Sequence, residues 1–398
     1  MGAPRTIVII GAGISGLTLA LALAKFGAQV LVIERNAETS EFGAGLQISA
    51  NARKCLIRLG LDEALEQVSF RPEGIDLYPH KSDAPLQTLT LGATIAERFG
   101  APYAVMHRAD VVEVLFAAAK RFANIEIAFG VEHFTIDDAD GRIAIAFEEH
   151  GGRQRTVAPF ALVGADGVRS VVRTRWMEGA DPVYSGKVAW RTLVVPDKLA
   201  DIVKSDRVSV MFGPRHHLVV YPLPYRNAVN LALFVQEPES RLATLEKGTP
   251  TLRNVNDQRL AAILTAAQGT WTPWILSAVE TENWHKGPMG LIGDAAHAML
   301  PFQAQGAAMG IEDATVLAPL LVSAPNAEHA FKRYAALRQE RVRRVQAVSR
   351  RNGHIFHMSA PFSLARDLVI RTEGPEGHLK RLAWLYGYDP LSAAIIEP

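Results

Sequence analysis

Three short motifs in this chain carry residue types at spacings that could do chemistry. The first is Gly11-Ala-Gly13-Ile14-Ser15-Gly16, where glycines permit a tight turn and a close backbone approach to a pyrophosphate. Glu34, with Arg35 after it, lies 18 residues beyond Gly16, where a carboxylate can accept hydrogen bonds from ribose hydroxyls. A lone GxGxxG is an ordinary glycine-rich turn; strand, helix, second strand and acid in register read as a dinucleotide site, with FAD and NAD undistinguished. The second motif, Leu162-Val-Gly-Ala-Asp166-Gly167-Val-Arg-Ser170-Val-Val-Arg173, closes a buried strand with an acid-glycine turn and then starts a helix. The third, Gly290-Leu-Ile-Gly293-Asp294-Ala-Ala-His297, delivers a carboxylate at the carboxyl end of a strand, where ligands collect in α/β sheets. Gln303-Ala-Gln305-Gly306-Ala307 then leads into a long helix whose N-terminus would stabilise negative charge on a bound ring.

The elements that must position these motifs are legible in the hydrophobic pattern. Residues 6–10 and 29–33 are β-branched runs of the kind buried on both faces in a parallel sheet, and the pattern from Ile14 to Phe26 between them is helical. Helical spacing recurs from Asn51 to Gln67 and from Ala109 to Phe122, with Arg108 just ahead of the latter. Short alternating stretches from Gly74 to Leu91, strands from Ile125 to Val163 with turns at Asp140-Gly141 and Gly151-Gly152, and runs at 208–212, 217–221 and 229–235 suggest further sheets. Helix resumes at 258–267 and dominates from Gly306 onward. The expected architecture is α/β: a Rossmann-type nucleotide domain in pieces (1–73, 100–180, 280–330), an inserted antiparallel β-rich substrate domain (74–99, 181–279) and a C-terminal helical region (331–398).

Composition narrows the function classes. The chain has 398 residues, 48% of them hydrophobic, and a formal net charge of +1; no overall field draws it toward nucleic acid or anionic lipid. Its single cysteine, Cys55, excludes an internal disulfide framework and a CxxC pair, so any redox centre must be borrowed. The apolar stretch from Thr6 to Ala28 reads as strand and helix rather than a membrane anchor, and the expected location is the cytoplasm.

With these three motifs in this order, the sequence resembles the class A flavoprotein monooxygenases, the single-component aromatic hydroxylases similar to salicylate, para-hydroxybenzoate and 3-hydroxybenzoate hydroxylases. The resemblance implies bound FAD, NAD(P)H as a transient co-substrate, and hydroxylation of a small aromatic or N-heteroaromatic acid with O2 through a flavin C4a-hydroperoxide; the alternatives are a flavin enzyme of the same fold with reductase or halogenase chemistry, or a non-catalytic FAD-binding partner protein. It further implies that Glu34 meets the adenosine ribose, Arg108 the pyrophosphate side, Asp166 both FAD and the nicotinamide, and Asp294 the ribityl or pyrophosphate region. The segment Gly43-Ala-Gly45-Leu46-Gln47-Ile-Ser-Ala-Asn51 looks like the family's second flavin-contacting stretch, and Gln305-Gly306-Ala307 is the expected anion site at the flavin. Pro301 shapes the loop over the ring. Trp384-Leu-Tyr-Gly-Tyr-Asp389 is similar to the salicylate hydroxylase branch, whereas Pro301-Phe302-Gln303 departs from that branch and favours a broader class of hydroxybenzoates and hydroxypyridine carboxylates.

Attack on an electron-rich ring calls for a base or acceptor near the substrate hydroxyl. His217, Val219 and Tyr221 would share one strand face, which makes Tyr221 and His217 the candidates. Arg191 and Arg215 are candidates to hold a substrate carboxylate. His297 is expected to support the structure, and no metal site is expected. Lys332 to Arg351 carries eight Lys or Arg against one acid, Glu340, and reads as a solvated face or a contact with acidic surface. Monomer and homodimer both remain open.

Overall fold

A computed structural model describes residues 5–38, 45–139, 142–149, 151–252 and 257–395. The expected turn at Asp140-Gly141, and Gly43 and Ala44 of the second flavin segment, lie outside these residues.

Strands Thr6–Ile10 and Gln29–Ile33 pair in parallel, joined by helix Ile14–Lys25. Ala161–Gly164 lies on the other side of the first strand, followed by Met289–Leu291 and the short antiparallel His285–Lys286, while Ile125–Ala128 forms the opposite edge. Val8, Val32 and Leu162 are fully buried, as strands covered on both faces require. The register explains why distant motifs meet. Ile10 pairs with Gly164, and Gly164 with Leu291, so the glycine loop, Asp166 and Asp294 all leave the sheet at neighbouring carboxyl ends.

A seven-stranded sheet runs in the order Thr272–Ala278, Val183–Val194, Ala228–Gln236, His216–Leu223, Val208–Gly213, Gly74–Tyr78, Gln87–Thr90. Its neighbours are antiparallel except for Val208–Gly213 with Gly74–Tyr78, which are parallel; those strands come from distant segments, so no hairpin fixes their direction. The alternation of each strand gives the sheet two faces. Val188, Trp190, Leu218, Leu231 and Leu233 pack on one face with Leu260 and Ile263 of helix Gln258–Ala266 and with Trp271. Ala189, Ala232 and Phe234 on the other face meet Leu300 and Phe302.

Several expectations change. The helical stretch 51–67 is two helices, Ala50–Arg58 and Asp62–Glu66, because Gly60 between them takes φ +80°. Arg108 begins helix Arg108–Ala119 rather than preceding it. The helix expected after Asp166 is a five-residue π-turn, Val172–Trp176. Helix Gly92–Phe99, grouped by sequence with the β-rich part, buries Ile95 and Phe99 in the main core, and helix Ala327–Phe356 runs across the boundary expected at residue 330. Helix Gly306–Ser323 is apolar and long enough to cross a membrane, but 67% of it is buried inside the fold.

Candidate active site

Gly11 has φ +106°, and a Cβ there would lie 2.6 Å from the Ala165 carbonyl oxygen; at Gly16 it would lie 2.0 Å from the Gly11 carbonyl. Only glycine fits, and the loop backbone stays flush with whatever approaches it. Gly13 at the N-cap supplies no side-chain cap, Ile14 and Ser15 follow, and no acid occupies the first turn. Helix Gly306–Ser323 begins in the same way, with Gln305 making no cap bond and no acid following. Both ends therefore present unsatisfied N–H donors and a positive dipole end. Asp294 lies beside the second, since a Cβ on Gly306 would be 3.8 Å from its Oδ1. Glu34 accepts from the Ala12 and Asn36 N–H groups at 2.8 and 2.9 Å, which leaves carboxylate lone pairs for a diol. Exposed Arg35 follows it. Two open helix ends, flanked by carboxylates suited to sugar hydroxyls, fit FAD.

The Asp166 side chain departs from expectation. It accepts from Ser170 Oγ (2.5 Å) and the N–H groups of Val171 and Val172 (2.7 and 3.2 Å), so it organises its own turn. Burial raises its pKa, against the pull of those bonds. Fully buried Arg173 donates to the carbonyls of Val168, Ala180 and Ala295 at 2.7, 2.8 and 2.7 Å, tying this turn to the Asp294 turn.

Gln305 is also turned inward. Its Nε2 donates to Ser49 Oγ (2.8 Å) and its Oε1 accepts from Asn51 Nδ2 (3.0 Å), which also donates to Glu312 (2.7 Å). Glu312 accepts from Arg338 (2.6 Å) and Arg341 (2.7 Å). Asp313 accepts from Arg338 (2.8 Å) and the Gly293 N–H (3.0 Å) and meets His297 Nε2 at 2.5 Å. Burial pushes both carboxyls up, but the neighbouring cationic groups outweigh it and hold them below their ordinary values. The Ser15 side chain wedges between Gly293 and Gly310, where added Cβ atoms would be 2.4 and 2.1 Å from its Oγ. Gln305 and Ser15 thus position backbone by their side chains, with their N–H groups at the helix starts.

The sheet face opposite is built differently. Tyr221 lies against Gly45, where a Cβ would be 2.2 Å from its Oη. Asn230 Oδ1 accepts from the Gly45 N–H at 2.8 Å, while its buried Nδ2 has no partner. Half-buried Arg191 lies 5.7 Å over the Trp274 ring and pairs with no carboxylate among the described residues. Burial lowers its pKa, and the like charge of half-buried Arg108 adds to this against the opposing pull of Tyr221. Burial pushes the Tyr221 phenol up. Between Arg191, Tyr221 and Phe234 the strands carry Ala189, Ala232 and Val219 in register, a floor of small side chains. This donor-rich surface, poor in acceptors, suits a flat anionic molecule.

His217 lies on the same face, four residues and roughly 13 Å along the strand from Tyr221. It is buried, stacked on Phe234 at 4.5 Å, edge-on to Phe302 at 5.3 Å, and its Nδ1 is 2.7 Å from His357 Nε2. Pro301 opens the turn Pro301–Gln303 that brings Phe302 over Phe234. Leu46 packs against the core, and Gln47 accepts from the Tyr103 hydroxyl at 2.5 Å. Arg215 is off this face: it sits exposed in a hairpin turn at φ +64° and donates to Gln236. Sequence reasoning missed Asn230, Trp274, Arg338 and His357. Asn230 had a signal, as the lone polar residue inside an otherwise apolar strand; Arg338 and His357 had none, since their partners are far away in sequence.

The sequence matches the FAD binding domain family over residues 5–352. It is 34% identical to a 3-amino-4-hydroxybenzoate 2-monooxygenase of Streptomyces platensis, covering 97% of this chain and 96% of that one. It is 31% identical to a 3-hydroxybenzoate 6-hydroxylase of Aquipseudomonas alcaligenes, over 96% and 98% of the two chains. The fold aligns with Klebsiella pneumoniae HpxO complexed with FAD and uric acid at a TM-score of 0.82, with 22% identity over 97% of this chain and 98% of that one.

Proposed function

Because the chain belongs to the FAD binding domain family of aromatic monooxygenases, we propose that it is an FAD-dependent, NAD(P)H-consuming enzyme that hydroxylates a small aromatic acid bearing a ring hydroxyl or amino group. The observation that carries the substrate class is the buried Asn230 Nδ2 without an acceptor, on the same sheet face as Arg191 and Tyr221 and the small-residue floor. A buried donor left without an acceptor costs about 1–3 kcal/mol, so this amide, with Arg191 and Tyr221 on its face, answers to oxygens that arrive with the ligand. A carboxylate supplies two, in the geometry a guanidinium fork prefers. The two relatives named above act on 3-amino-4-hydroxybenzoate and 3-hydroxybenzoate, both acids of this kind.

FAD, when bound, would supply the redox chemistry that NAD(P)H-dependent hydroxylation with O2 requires. The N–H groups of Gly306 and Ala307 stabilise negative charge at the flavin, and the Ser49 and Asn51 bonds to Gln305 keep that helix start aimed. Asp294 and Glu34 hold sugar hydroxyls, the glycine loop and Arg108 the pyrophosphate. Phe234 and Phe302 keep water from the ring. Val219 is two residues from both His217 and Tyr221, so a ring over it lies between a proton acceptor at His217 Nε2 and a hydrogen-bond donor at Tyr221 Oη. The reading places the enzyme in the cytoplasm, where NAD(P)H is supplied.

The test is a screen of hydroxybenzoates, aminohydroxybenzoates and hydroxypyridine carboxylates for accelerated NADH or NADPH oxidation, with the product identified by mass. At least one acid is expected to accelerate the reaction many-fold while its carboxamide does not. Indifference to every acid would sink the reading.

A further inference from the structure

We propose that His357 is a positioning residue for His217: the two imidazoles share a proton and act as one unit on the proton of the substrate's ring hydroxyl. The substrate half of this inference rests on the function proposed above. The geometry is independent of it. His217 Nδ1 and His357 Nε2 are 2.7 Å apart, with ring centroids at 5.0 Å. Two bare nitrogens or two N–H groups at that separation would repel, so one proton lies between them.

Two arrangements satisfy that bond. With the proton on His217 Nδ1, His217 Nε2 is bare and can accept, and His357 carries its own proton on Nδ1. With the shared proton on His357 Nε2, His217 carries a proton on Nε2 and His357 Nδ1 is bare. The first becomes the second when His217 Nε2 takes the hydroxyl proton, the Nδ1 proton crosses to His357 Nε2, and His357 Nδ1 releases its proton to water. The pair ends as it began, without charge.

The surroundings favour that course over a lone imidazolium. Phe234, Phe302 and Phe356 surround His217, and the Lys187 ammonium bears on both rings, while no carboxylate among the described residues pairs with either. Burial first, and this charge in addition, hold both imidazoles below their usual range, His357 at about 3. His297, by contrast, has Asp313 as its partner. The exit is short. His357 C-caps helix Ala327–Phe356 and its Nδ1 is buried without a protein partner, so release needs a small opening toward Ser359, Ala360 and Pro361, which follow in sequence and are exposed.

The experiment uses FAD-loaded protein labelled with 15N-histidine. In the wild type, each of the two rings is expected to show one protonated and one bare nitrogen, with coupling across an N–H···N bond. In His357→Phe the His217 ring should lose that coupling. With the acid found in the screen, His357→Phe should lower kcat by about a hundredfold, leave KM within twofold, and add an acid limb to the pH profile as His217 titrates alone. His357→Gln keeps a hydrogen-bonding side chain but cannot pass a proton, so it should recover the thermal midpoint without recovering kcat. Recovery of kcat with Gln, an unchanged pH profile in Phe, or a wild-type spectrum without the shared proton would each overturn the proposal. If no aromatic acid is turned over, the function proposed above fails, and the ring spectra still decide whether the proton is shared.

Discussion

Two polar clusters in this fold obey opposite rules. Behind the flavin helix, Glu312, Asp313, Arg338 and Gln305 are all buried and all matched, with bonds of 2.6–3.0 Å closing each one on another protein group. Across the cleft, Arg191, Asn230 and Tyr221 are gathered on one sheet face, with Asn230 Nδ2 buried without an acceptor and half-buried Arg191 paired with no carboxylate among the described residues. Unmatched buried charge is costly, so the first arrangement is what a fold needs to hold a helix in place. The second is a cost that the proposed ligand would relieve. Saturation alone does not mark a ligand site, since Trp271 Nε1 and Tyr334 Oη are also buried without partners; what sets the second cluster apart is that its open donor lies on a face with Arg191, Tyr221 and a floor of small side chains.

The largest expected effect is at the saturated end. Arg338→Met removes a cation shared by two buried carboxylates and should cost about 3–5 kcal/mol of stability, read by urea denaturation of the FAD-loaded protein. A loss under about 1 kcal/mol would mean that the network is not what holds the flavin helix, and the contrast would collapse. At the open end the sign should differ. Arg191→Met should leave stability unchanged or raise it, because no protein anion among the described residues loses a partner, while kcat/KM for the aromatic acid falls by about thirtyfold or more, as truncation of a desolvated charge pair costs about 2–5 kcal/mol. Parallel losses in both measurements would show Arg191 to be a structural group.

The fold was legible where local pattern carries it. The strands at 6–10 and 29–33, the glycine loop and the two acid-bearing strand ends follow from β-branched runs and turn residues that need no distant information. Asp166 and Gln305 show the limit: sequence places them at the cofactor, but which way a side chain turns depends on Ser170 and on Ser49 and Asn51, and the last two lie more than 250 residues from Gln305. The basic helix shows the same limit. Its excess of Arg looked like a surface property, yet Arg338 is fully buried on Glu312 and Asp313, and Arg341 and Arg344 lie 3.6 and 3.9 Å over Tyr388 and Trp384. The strand face holding His217, Val219 and Tyr221 could be read from period two, whereas His357 could not.

A smaller effect distinguishes the two clusters by pH. Glu312 and Asp313 have depressed carboxyl pKa values, so their contribution is present above the unfolded carboxyl pKa of about 4 and is lost only as pH falls below it. His217 and His357 are neutral in the fold, but in the unfolded chain they take up protons below about 6.5. Unfolding then binds protons, and stability should decline from pH 6.5 downward, by at most about 1.4 kcal/mol per pH unit for each imidazole. His357→Phe should lessen the slope of the stability curve between pH 6 and about 4.5 by one imidazole's share, the other buried histidines keeping theirs, while leaving the steeper acid fall of the carboxylates in place. A wild-type curve that is level across that range would refute the neutral-pair description.

The smallest expected effect belongs to neither cluster and checks that saturation matters only when it is buried. Arg58 and Asp389 form two hydrogen bonds of 2.6 and 2.5 Å, as good in geometry as any in the network, but their side chains are 41% and 28% exposed. Water and salt compete for both ions, and the desolvation that makes Arg338 indispensable was never incurred. Arg58→Ala should therefore cost no more than about 1 kcal/mol, the usual range of exposed pairs, and less in high salt. The pair fastens the chain end to helix Ala50–Arg58, beyond the Asn51 turn that holds Gln305, so kcat and the FAD content should not change. If Arg58→Ala matched Arg338→Met in the denaturation experiment, geometry alone would account for the stability of both, and burial would lose its place in the comparison.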